Sequence, residues 1–324
     1  KPTAMTVLYA SDLESFGINT LGEALDFVAG IQTFKTTSVT SVVSVRGYTQ
    51  PLNVFHEKIK YRINGVSASS NYFENFPINL IERVEISKGN ASTIYDQSGF
   101  VAVVDIITKD KNSIYFGTGS FDSRNFSLLL NEKLNDKWNL KFATSYLKNN
   151  KKVDAPSGIL TNSETFGTTF NRKRESLEGV EDFLIGGSLQ SENLKISSKY
   201  IKNEKQNNYG FTGMLDWSDD GYTNYEIFSN EIAYNTFINS NNILETKLGS
   251  VESNYKMNTY LYKFEPNNFG IYDPHFKVDY TQRESYLSIL IKNSTFSNHK
   301  IEYGILGTYT QIPKNKYYAN VDNL

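Results

Sequence analysis

The feature that most constrains this 324-residue chain is a series of alternating segments that runs from Ser113 to the region of Gln311. Each has about ten residues with apolar side chains at every second position, as in a β-strand with one polar and one apolar face. In one of them Leu194, Ile196 and Tyr200 alternate with lysines and serines. About nine such segments predict an antiparallel sheet that makes up most of the chain.

The connections between these segments alternate in length. Short turns at one end of a sheet and long loops at the other are typical of outer-membrane β-barrels. A soluble sandwich rarely has three loops of about 20 residues or more on one side. The pattern therefore favours a membrane β-barrel over a soluble all-β domain. The short polar turns are 134–137, 191–193, 239–242 and 297–300, and the long loops are 148–179, 203–225 and 255–283.

The first 110 residues have a different pattern, typical of a compact mixed α/β domain. Thr20 and Glu23 have the spacing of a capping box, which predicts a helix from Leu21, and Gly30 is placed to end that helix in a left-handed conformation. Residues 59–63 predict a strand, and Asn64-Gly65 directly after it predicts a tight hairpin turn. Further strands are predicted at 42–45, 83–87 and 101–108.

Composition excludes several function classes. A net charge of −2 creates no field that would attract nucleic acid, and the absence of cysteine excludes disulfides and thiol chemistry. No apolar run reaches about 18 residues, so no transmembrane helix is predicted. The 22 tyrosines and 21 phenylalanines fit either a membrane-interface belt or an aromatic-rich β core.

No catalytic, metal or cofactor site is predicted. His56, His275 and His299 are scattered and have no metal-ligand neighbours at a useful spacing. The sequence has no phosphate-binding loop, no serine-hydrolase elbow and no zinc-protease motif. An enzyme is therefore the least favoured function class.

An ordered set of motifs across residues 5–110 resembles the plug domain of TonB-dependent outer-membrane receptors. Its order and spacing agree with the family throughout this region, and the alternating segments that follow are similar to the family's barrel. Asn90 stands where the family usually has proline, Asp96 where glycine follows tyrosine, and Val101-Ala102 where two glycines give the turn backbone freedom. The motifs are Ala29-Gly30-Ile31, Val45-Arg46-Gly47, Asn64-Gly65, Ile81-Glu82-Arg83-Val84-Glu85-Ile86, Lys88-Gly89, Ala91-Ser92, Tyr95, and Val103 through Lys109.

The resemblance implies a plug domain at residues 1–110 and the N-terminal part of a transmembrane β-barrel at 111–324. The family's barrel has 22 strands, which need about 220 residues at roughly ten per strand. The 214 residues after Asp110 include long loops, and an open sheet edge is not tolerated in lipid. We therefore expect the sequence to be part of a longer protein, with a leader, the TonB box and further strands outside it. Residues 317–324 are expected to begin another long loop.

The family's activity implies import of a scarce nutrient, such as a ferric siderophore, haem or cobalamin, across the bacterial outer membrane. A ligand captured at nanomolar concentration is bound by about 12 kcal/mol, so its release needs work. The resemblance assigns that work to TonB, part of an inner-membrane energy-coupling complex. The alternatives are a receptor of the same family for an oligosaccharide or another organic nutrient, a truncated non-transporting remnant, and a passive porin, against which the plug motifs argue.

The resemblance also implies where ligand contacts and plug-locking contacts lie. Ligand contacts are expected at the plug apices and in the long loops, where aromatic faces suit planar chelates or haem; alternatively, these side chains pack on one another. Arg46 and Arg83 are expected to hold the plug through carboxylates of later barrel strands, or Arg83 pairs with Glu82 or Glu85 at a surface. The expected ligand contacts are Tyr48, Thr49, Gln50, Pro51, Asn53, Asn71, Tyr72 and Phe73 in the plug, and Tyr209, Phe211, Trp217 and Tyr222 in the loops.

Overall fold

The strands of this computed structural model form four sheets. A five-stranded and a three-stranded sheet lie within the first 110 residues, and a nine-stranded antiparallel sheet follows them. A separate two-stranded sheet lies within one of the long connections. The predicted fold class, a mixed α/β unit followed by about nine antiparallel strands, is confirmed. The structure describes residues 4–18, 20–35, 41–49, 59–68, 76–88, 101–155, 174–206, 221–260, 275–296 and 299–320.

The described residues of the N-terminal unit form eight strands and two short helices. They are β1 (Ala4–Tyr9), α1 (Ala10–Ser15), α2 (Leu21–Leu25), β2 (Ile31–Lys35), β3 (Ser41–Val45), β4 (Tyr48–Thr49), β5 (Ile59–Ile63), β6 (Val66–Ala68), β7 (Ile81–Lys88) and β8 (Ala102–Thr108), with a 3₁₀ turn at Ile78–Leu80. The larger sheet has the order β1-β7-β8-β5-β6, in which only the β5–β8 pair is parallel. The smaller sheet is β2-β3-β4. The sequence patterns predicted β3, β5, β7 and β8, but not β1, β2 or α1.

The capping box forms as predicted at the start of α2. The Thr20 hydroxyl accepts a hydrogen bond from the Glu23 backbone N–H at 3.4 Å, and the Glu23 carboxylate accepts one from the Thr20 N–H at 3.3 Å. Gly30 has the predicted left-handed conformation with φ +78°. However, α2 ends at Leu25, so the prediction that Gly30 ends the helix was wrong, because a turn region separates the two. Gly30 instead reverses the chain into β2.

The Asn64-Gly65 hairpin is also confirmed. Asn64 and Gly65 have φ values of +50° and +80°, which are the paired left-handed residues of a type I′ turn between β5 and β6. Arg46 and Gly47, at +53° and +79°, make the same kind of turn between β3 and β4. Both turns place the following strand directly beside the preceding one.

The core of the N-terminal unit lies between its larger sheet and its helices, and it continues into the nine-stranded sheet. Ile59, Ile86 and Ile106 are completely buried. Leu129 and Leu184, from the nine-stranded sheet, belong to the same buried cluster. One face of that sheet therefore packs against the N-terminal unit.

The nine-stranded sheet follows chain order, with every neighbouring pair antiparallel. Between its third and fourth strands lies the two-stranded sheet, made of β12 (Lys152–Ala155) and β13 (Arg174–Leu177). The nine strands are β9 (Ser113–Gly119), β10 (Ser123–Lys133), β11 (Asn139–Asn149), β14 (Val180–Gln190), β15 (Leu194–Gln206), β16 (Tyr222–Asn239), β17 (Asn242–Tyr260), β18 (His275–Phe296) and β19 (His299–Asn320).

The last four strands are longer than the sequence pattern predicted. They have 18 to 22 residues, whereas a tilted strand needs about 9–11 to cross a bilayer. The prediction of a loop at Tyr222 was wrong, because Tyr222 begins β16, and residues 317–320 belong to β19 instead of a loop. The apolar alternation that marks a strand fades where neither face is buried, so these extensions look like polar loop in the sequence.

The two faces of the nine-stranded sheet differ in chemistry. The face that carries Leu129 and Leu184, here called the inner face, meets the N-terminal unit. It also carries a second buried hydrophobic cluster around Tyr225 and Tyr255 and buried polar side chains such as Glu231. The opposite, outer face carries large apolar side chains that remain exposed. They include Ile114, Phe116, Ile185, Ile196, Phe228, Ile232, Leu248, Leu287, Ile289 and Ile305. In the described part of the chain, neither helix has the length and apolar character needed to cross a membrane.

Candidate functional site

Most of the expected ligand contacts fall outside the described residues. Tyr48 and Thr49 form β4, directly after the Arg46-Gly47 turn. Tyr222 is 38% exposed and lies on the outer face, because its neighbour Thr223 is buried on the inner one. The residues outside the described ranges are Gln50, Pro51, Asn53, Asn71, Tyr72, Phe73, Tyr209, Phe211 and Trp217.

The two arginines expected to lock the plug have different surroundings. Arg46 is exposed, its backbone N–H donates to the Gly30 carbonyl at 2.8 Å, and its side chain makes no salt bridge with any described residue. Arg83 pairs with Glu85 at 2.8 Å and with Glu82 at 3.3 Å. The hydrogen bond to Glu85 raises the pKa of the Arg83 guanidinium above its usual value. Pairing of Arg83 with Glu82 and Glu85 is the alternative that sequence analysis gave to a locking role. A role of Arg46 or Arg83 in locking the plug stays a prediction.

A row of tyrosines crosses the inner face at a level that sequence analysis did not single out. Tyr225, Tyr255 and Tyr280 occupy paired positions on β16, β17 and β18. All three are at least 93% buried, and the rings of Tyr225 and Tyr255 are 4.5 Å apart between centroids. Ile227 lies next to Tyr225 on the same face and pairs with Ile201 of β15. Ile201 belongs to the buried cluster that the sheet shares with the N-terminal unit. The row is part of a buried cluster on the inner face, close to the ends of strands that lead into long connections.

A second, charged row crosses the inner face nearer the short turns. Lys141, Ser188, Ser197 and Glu231 occupy successive paired positions on β11, β14, β15 and β16. Glu231 is 6% exposed and accepts a 2.6 Å hydrogen bond from the Tyr286 hydroxyl of β18. The tyrosine reaches across β17 to make this bond, so three strands are joined by one contact.

Gly249 makes that contact possible because it lies between Glu231 and Tyr286 in the register. A Cβ atom at this position would come within 2.3 Å of Cζ in the Tyr286 ring. No side chain larger than hydrogen can lie under the ring without moving it. The glycine therefore allows the tyrosine to lie flat over β17 and reach the carboxylate.

We expect Gly249→Ala to destabilise the sheet by about 1–3 kcal/mol, the usual cost of overpacking a filled site. The midpoint of urea unfolding in detergent should fall accordingly. Gly307→Ala in β19 is the matched control, because a Cβ there has no atom within 4 Å. Equal midpoints for the two variants would contradict this account of Gly249.

The tip of the N-terminal unit is held rigidly above this charged row. The Asn64 amide donates to the Thr108 hydroxyl at 2.9 Å and accepts from the Thr108 backbone N–H at 3.0 Å. Arg62 donates to the Gly65 carbonyl at 3.0 Å, and the Gly65 N–H donates to the Asp105 carboxylate at 3.2 Å. These bonds fix the Asn64-Gly65 turn to β8, and the turn lines a cavity whose other wall is β14 to β16.

The described residues contain no group of three or more histidine, aspartate or glutamate side chains that could hold a metal ion. Near the plug tip, the inner face carries serine hydroxyls, lysine ammonium groups and the Glu231 carboxylate. Groups of this kind can bind and orient a polar ligand.

Residues 1–103 match the family model described as the TonB-dependent Receptor Plug Domain. Among solved structures, the pyoverdine outer membrane receptor FpvA from Pseudomonas aeruginosa PAO1 has a TM-score of 0.73 at 14% identity, over 100% of this chain and 48% of that one. The ferric yersiniabactin uptake receptor FyuA from Yersinia pestis has 0.65 at 14% identity, over 96% and 50%. The siderophore receptor PiuA from Acinetobacter baumannii has 0.65 at 13% identity, over 99% and 49%. At these identities the likenesses establish the fold, and the chain spans about half the length of each.

Proposed function

Because this chain belongs to the TonB-dependent receptors, we propose that the whole protein imports a scarce nutrient across the bacterial outer membrane with energy supplied through TonB. Residues 1–110 serve as the plug and residues 111–324 as the N-terminal portion of the barrel. The observation that carries the proposal is the continuous core between the two, in which Leu129 and Leu184 of the wall pack with plug residues. A domain fixed in this way against the inner face obstructs a lumen and has to shift before a large solute can pass.

The outer face supports a location in the outer membrane. Its exposed isoleucines, leucines and phenylalanines are spread over β9 to β19. Water-soluble domains rarely expose apolar patches of more than a few hundred Å². A lipid-facing band on alternate residues of tilted strands accounts for this surface, because lipid tails solvate it without cost.

A ferric siderophore is the first candidate for the nutrient, ahead of haem and cobalamin. The three similar structures are named as receptors for pyoverdine, for ferric yersiniabactin and for a siderophore. In this proposal the plug apices, including Tyr48 and Thr49, and the long loops contact the ligand, where aromatic faces suit planar chelating groups. Arg46 and Arg83 contribute to holding the plug.

Uptake of labelled iron tests this function directly. We expect cells that lack the gene to grow normally in rich medium and to lose most uptake of at least one ⁵⁵Fe-siderophore under iron limitation. Uptake by wild-type cells should stop when the proton-motive force is collapsed, because release of a tightly bound ligand needs work. Surface binding measured on ice should survive that treatment and serves as the control.

Two outcomes would contradict the proposal. Expression that does not respond to iron or cobalamin starvation would remove the metal-chelate and cobalamin assignments and favour a receptor for an oligosaccharide or another organic nutrient. Uptake that continues without a proton-motive force would favour a passive pore.

A further inference from the structure

A small cavity lies between the plug tip and the inner face, close to the short turns. Its floor consists of small side chains at neighbouring positions of three strands, and its roof is the fixed tip of the plug. Glycine and serine on this part of the floor leave room for a compact group beneath the tip, and the apolar side chains of Leu129 and Leu184 line the other side of the cavity. The floor comprises Gly186 and Ser188 of β14, Ser197 of β15 and Ser229 of β16, and the roof comprises Asn64 and Thr108.

Three lysines surround this floor. Lys195 and Lys199 lie on the inner face of β15, on either side of Ser197, with their Cα atoms about 13 Å apart at the usual rise per strand residue. Lys141 lies beside Ser188 on β11. All three line the cavity. We call Lys141, Lys195, Lys199, Ser188 and Ser197 the lysine pocket.

The charge inside the lysine pocket is not balanced by direct contacts. Lys141 forms a salt bridge with Asp110, and Glu231 accepts the hydrogen bond from Tyr286. Neither Lys195 nor Lys199 makes a hydrogen bond or a salt bridge with any residue in the described ranges. Glu231 attracts both ammonium groups at longer range.

Lysines elsewhere on the same face show the usual arrangement. Lys247 and Lys292 both pair with Glu245, at 2.8 Å and 2.9 Å. Ammonium groups removed from bulk water are normally paired in this way, because an unpaired charge loses hydration without compensation. Lys195 and Lys199 therefore place two ammonium groups, which no carboxylate in the described ranges contacts directly, next to serine hydroxyls, and Glu231 acts on them only at longer range.

We propose that the lysine pocket is a subsite for a compact oxyanion, a carboxylate or phosphate, and that it holds the anionic groups of the imported chelate after they pass the plug tip. Ammonium groups and hydroxyls donate strong hydrogen bonds to such oxygens. The assignment to cargo rests on the proposed function. It follows from position, because the pocket lies at the short-turn end of the sheet, and in outer-membrane barrels short turns face the periplasm.

Equilibrium dialysis of the full receptor in detergent, at low ionic strength, tests the pocket with inorganic phosphate and with citrate as probes. We expect both to bind the wild type at millimolar concentration or tighter. The double variant Lys195→Gln/Lys199→Gln should bind at least tenfold more weakly, and Lys195→Arg/Lys199→Arg should retain binding because it keeps both charges.

Lys292→Gln is the matched control, because it removes one inner-face charge and leaves Glu245 paired with Lys247. It should bind both probes as the wild type does. Three results would overturn the proposal that the lysine pocket binds an oxyanion. They are an unchanged affinity in the glutamine double variant, an equal loss of affinity in Lys292→Gln, and no binding of either probe to the wild type.

The anion that occupies the pocket can come from the imported chelate or from free phosphate in the periplasm. Uptake of ⁵⁵Fe-citrate, compared with uptake of ⁵⁵Fe in an uncharged trihydroxamate chelate, distinguishes these two sources. If the pocket serves cargo, the glutamine double variant slows uptake of the anionic chelate at least threefold, while its surface binding and uptake of the neutral chelate are unchanged. If the glutamine double variant loses phosphate binding but takes up both chelates at the wild-type rate, the pocket binds free periplasmic phosphate. That result would overturn the assignment to cargo. If the wild type takes up no iron chelate, the proposed function fails, whereas the dialysis result still decides the pocket.

Discussion

Joining residues 79 and 127 covalently is expected to abolish nutrient uptake and leave ligand binding at the cell surface unchanged. Asn79 lies in the 3₁₀ turn of the plug, and its amide donates to the Ser127 hydroxyl on β10 at 2.9 Å. The sequence contains no cysteine, so Asn79→Cys/Ser127→Cys gives a single crosslinked product with a short bis-thiosulfonate reagent. The bond holds the plug on the wall, so a plug that must leave the wall cannot do so.

A second crosslink distinguishes two ways in which the plug can open a path. Asn64→Cys/Thr108→Cys joins the plug tip to β8, at a hydrogen bond of 2.9 Å inside the plug itself. It prevents β5 and β6 from separating from β8 but leaves the plug free to move as one body. If uptake stops in both crosslinked variants, the plug opens by local unfolding. If it stops only with the plug-to-wall crosslink, the plug moves as a unit.

Reduction supplies the control for both crosslinks. Uptake should return when the disulfides are reduced, because each substitution replaces a small polar side chain and cysteine is close in size to Ser127, the one buried residue of the four. Full uptake with the crosslink between residues 79 and 127 complete would show that the plug can stay fixed to β10 during transport. That result would contradict the role proposed for the shared core.

Features of the fold that depend on a few consecutive residues could be predicted from the sequence. The Asn64-Gly65 turn and the Thr20–Glu23 capping box each arise from backbone conformation and hydrogen bonds within four residues. The alternation along β15 could also be read, because Leu194 and Ile196 lie on the outer face while Lys195 lies on the inner face, and this difference is recorded at every second position. Such signals need no knowledge of which strands are neighbours.

Features that depend on register could not be predicted. Tyr286 reaches Glu231 across Gly249, and these residues come from three strands whose alignment has to be known first. A slip of one residue would turn any of the three side chains to the opposite face. Tyr225 and Tyr255 meet for the same reason, 30 positions apart in the chain.

Sequence analysis also misplaced Tyr222, because it treated the whole connection 203–225 as a loop. Tyr222 was expected to contact ligand from a loop, yet it is the first residue of β16 and lies on the outer face. The aromatic residue that does lie on the inner face is Tyr225, three positions later. Where neither face of a strand packs against an apolar surface, the alternation fades, and the sequence no longer indicates which face is inside.

Ile289→Arg is expected to destabilise the barrel strongly if the outer face is in lipid. Ile289 is 41% exposed on the outer face of β18, seven residues before its end at Phe296, so it lies near the middle of a membrane crossing of about 9–11 residues. An arginine at that depth costs about 2–4 kcal/mol in a transmembrane barrel. The same substitution at an exposed site of a water-soluble sheet is usually within about 0.5 kcal/mol. The measurement is the fraction of protein that is folded, membrane-inserted and resistant to urea extraction.

Ser288→Arg is the control, because the adjacent residue points to the inner face beside Lys247 and Leu306. There the guanidinium meets polar surroundings, and like charge at Lys247 adds only a few tenths of a kcal/mol because Glu245 screens it. The difference between the two variants therefore isolates what the outer face contacts. A loss of insertion in Ile289→Arg alone would place that face in lipid, since neither burial nor strand propensity differs enough between neighbouring residues to produce such a gap. Equal, small effects in both would mean that water surrounds both faces of β18, and the membrane location proposed for this receptor would then be wrong.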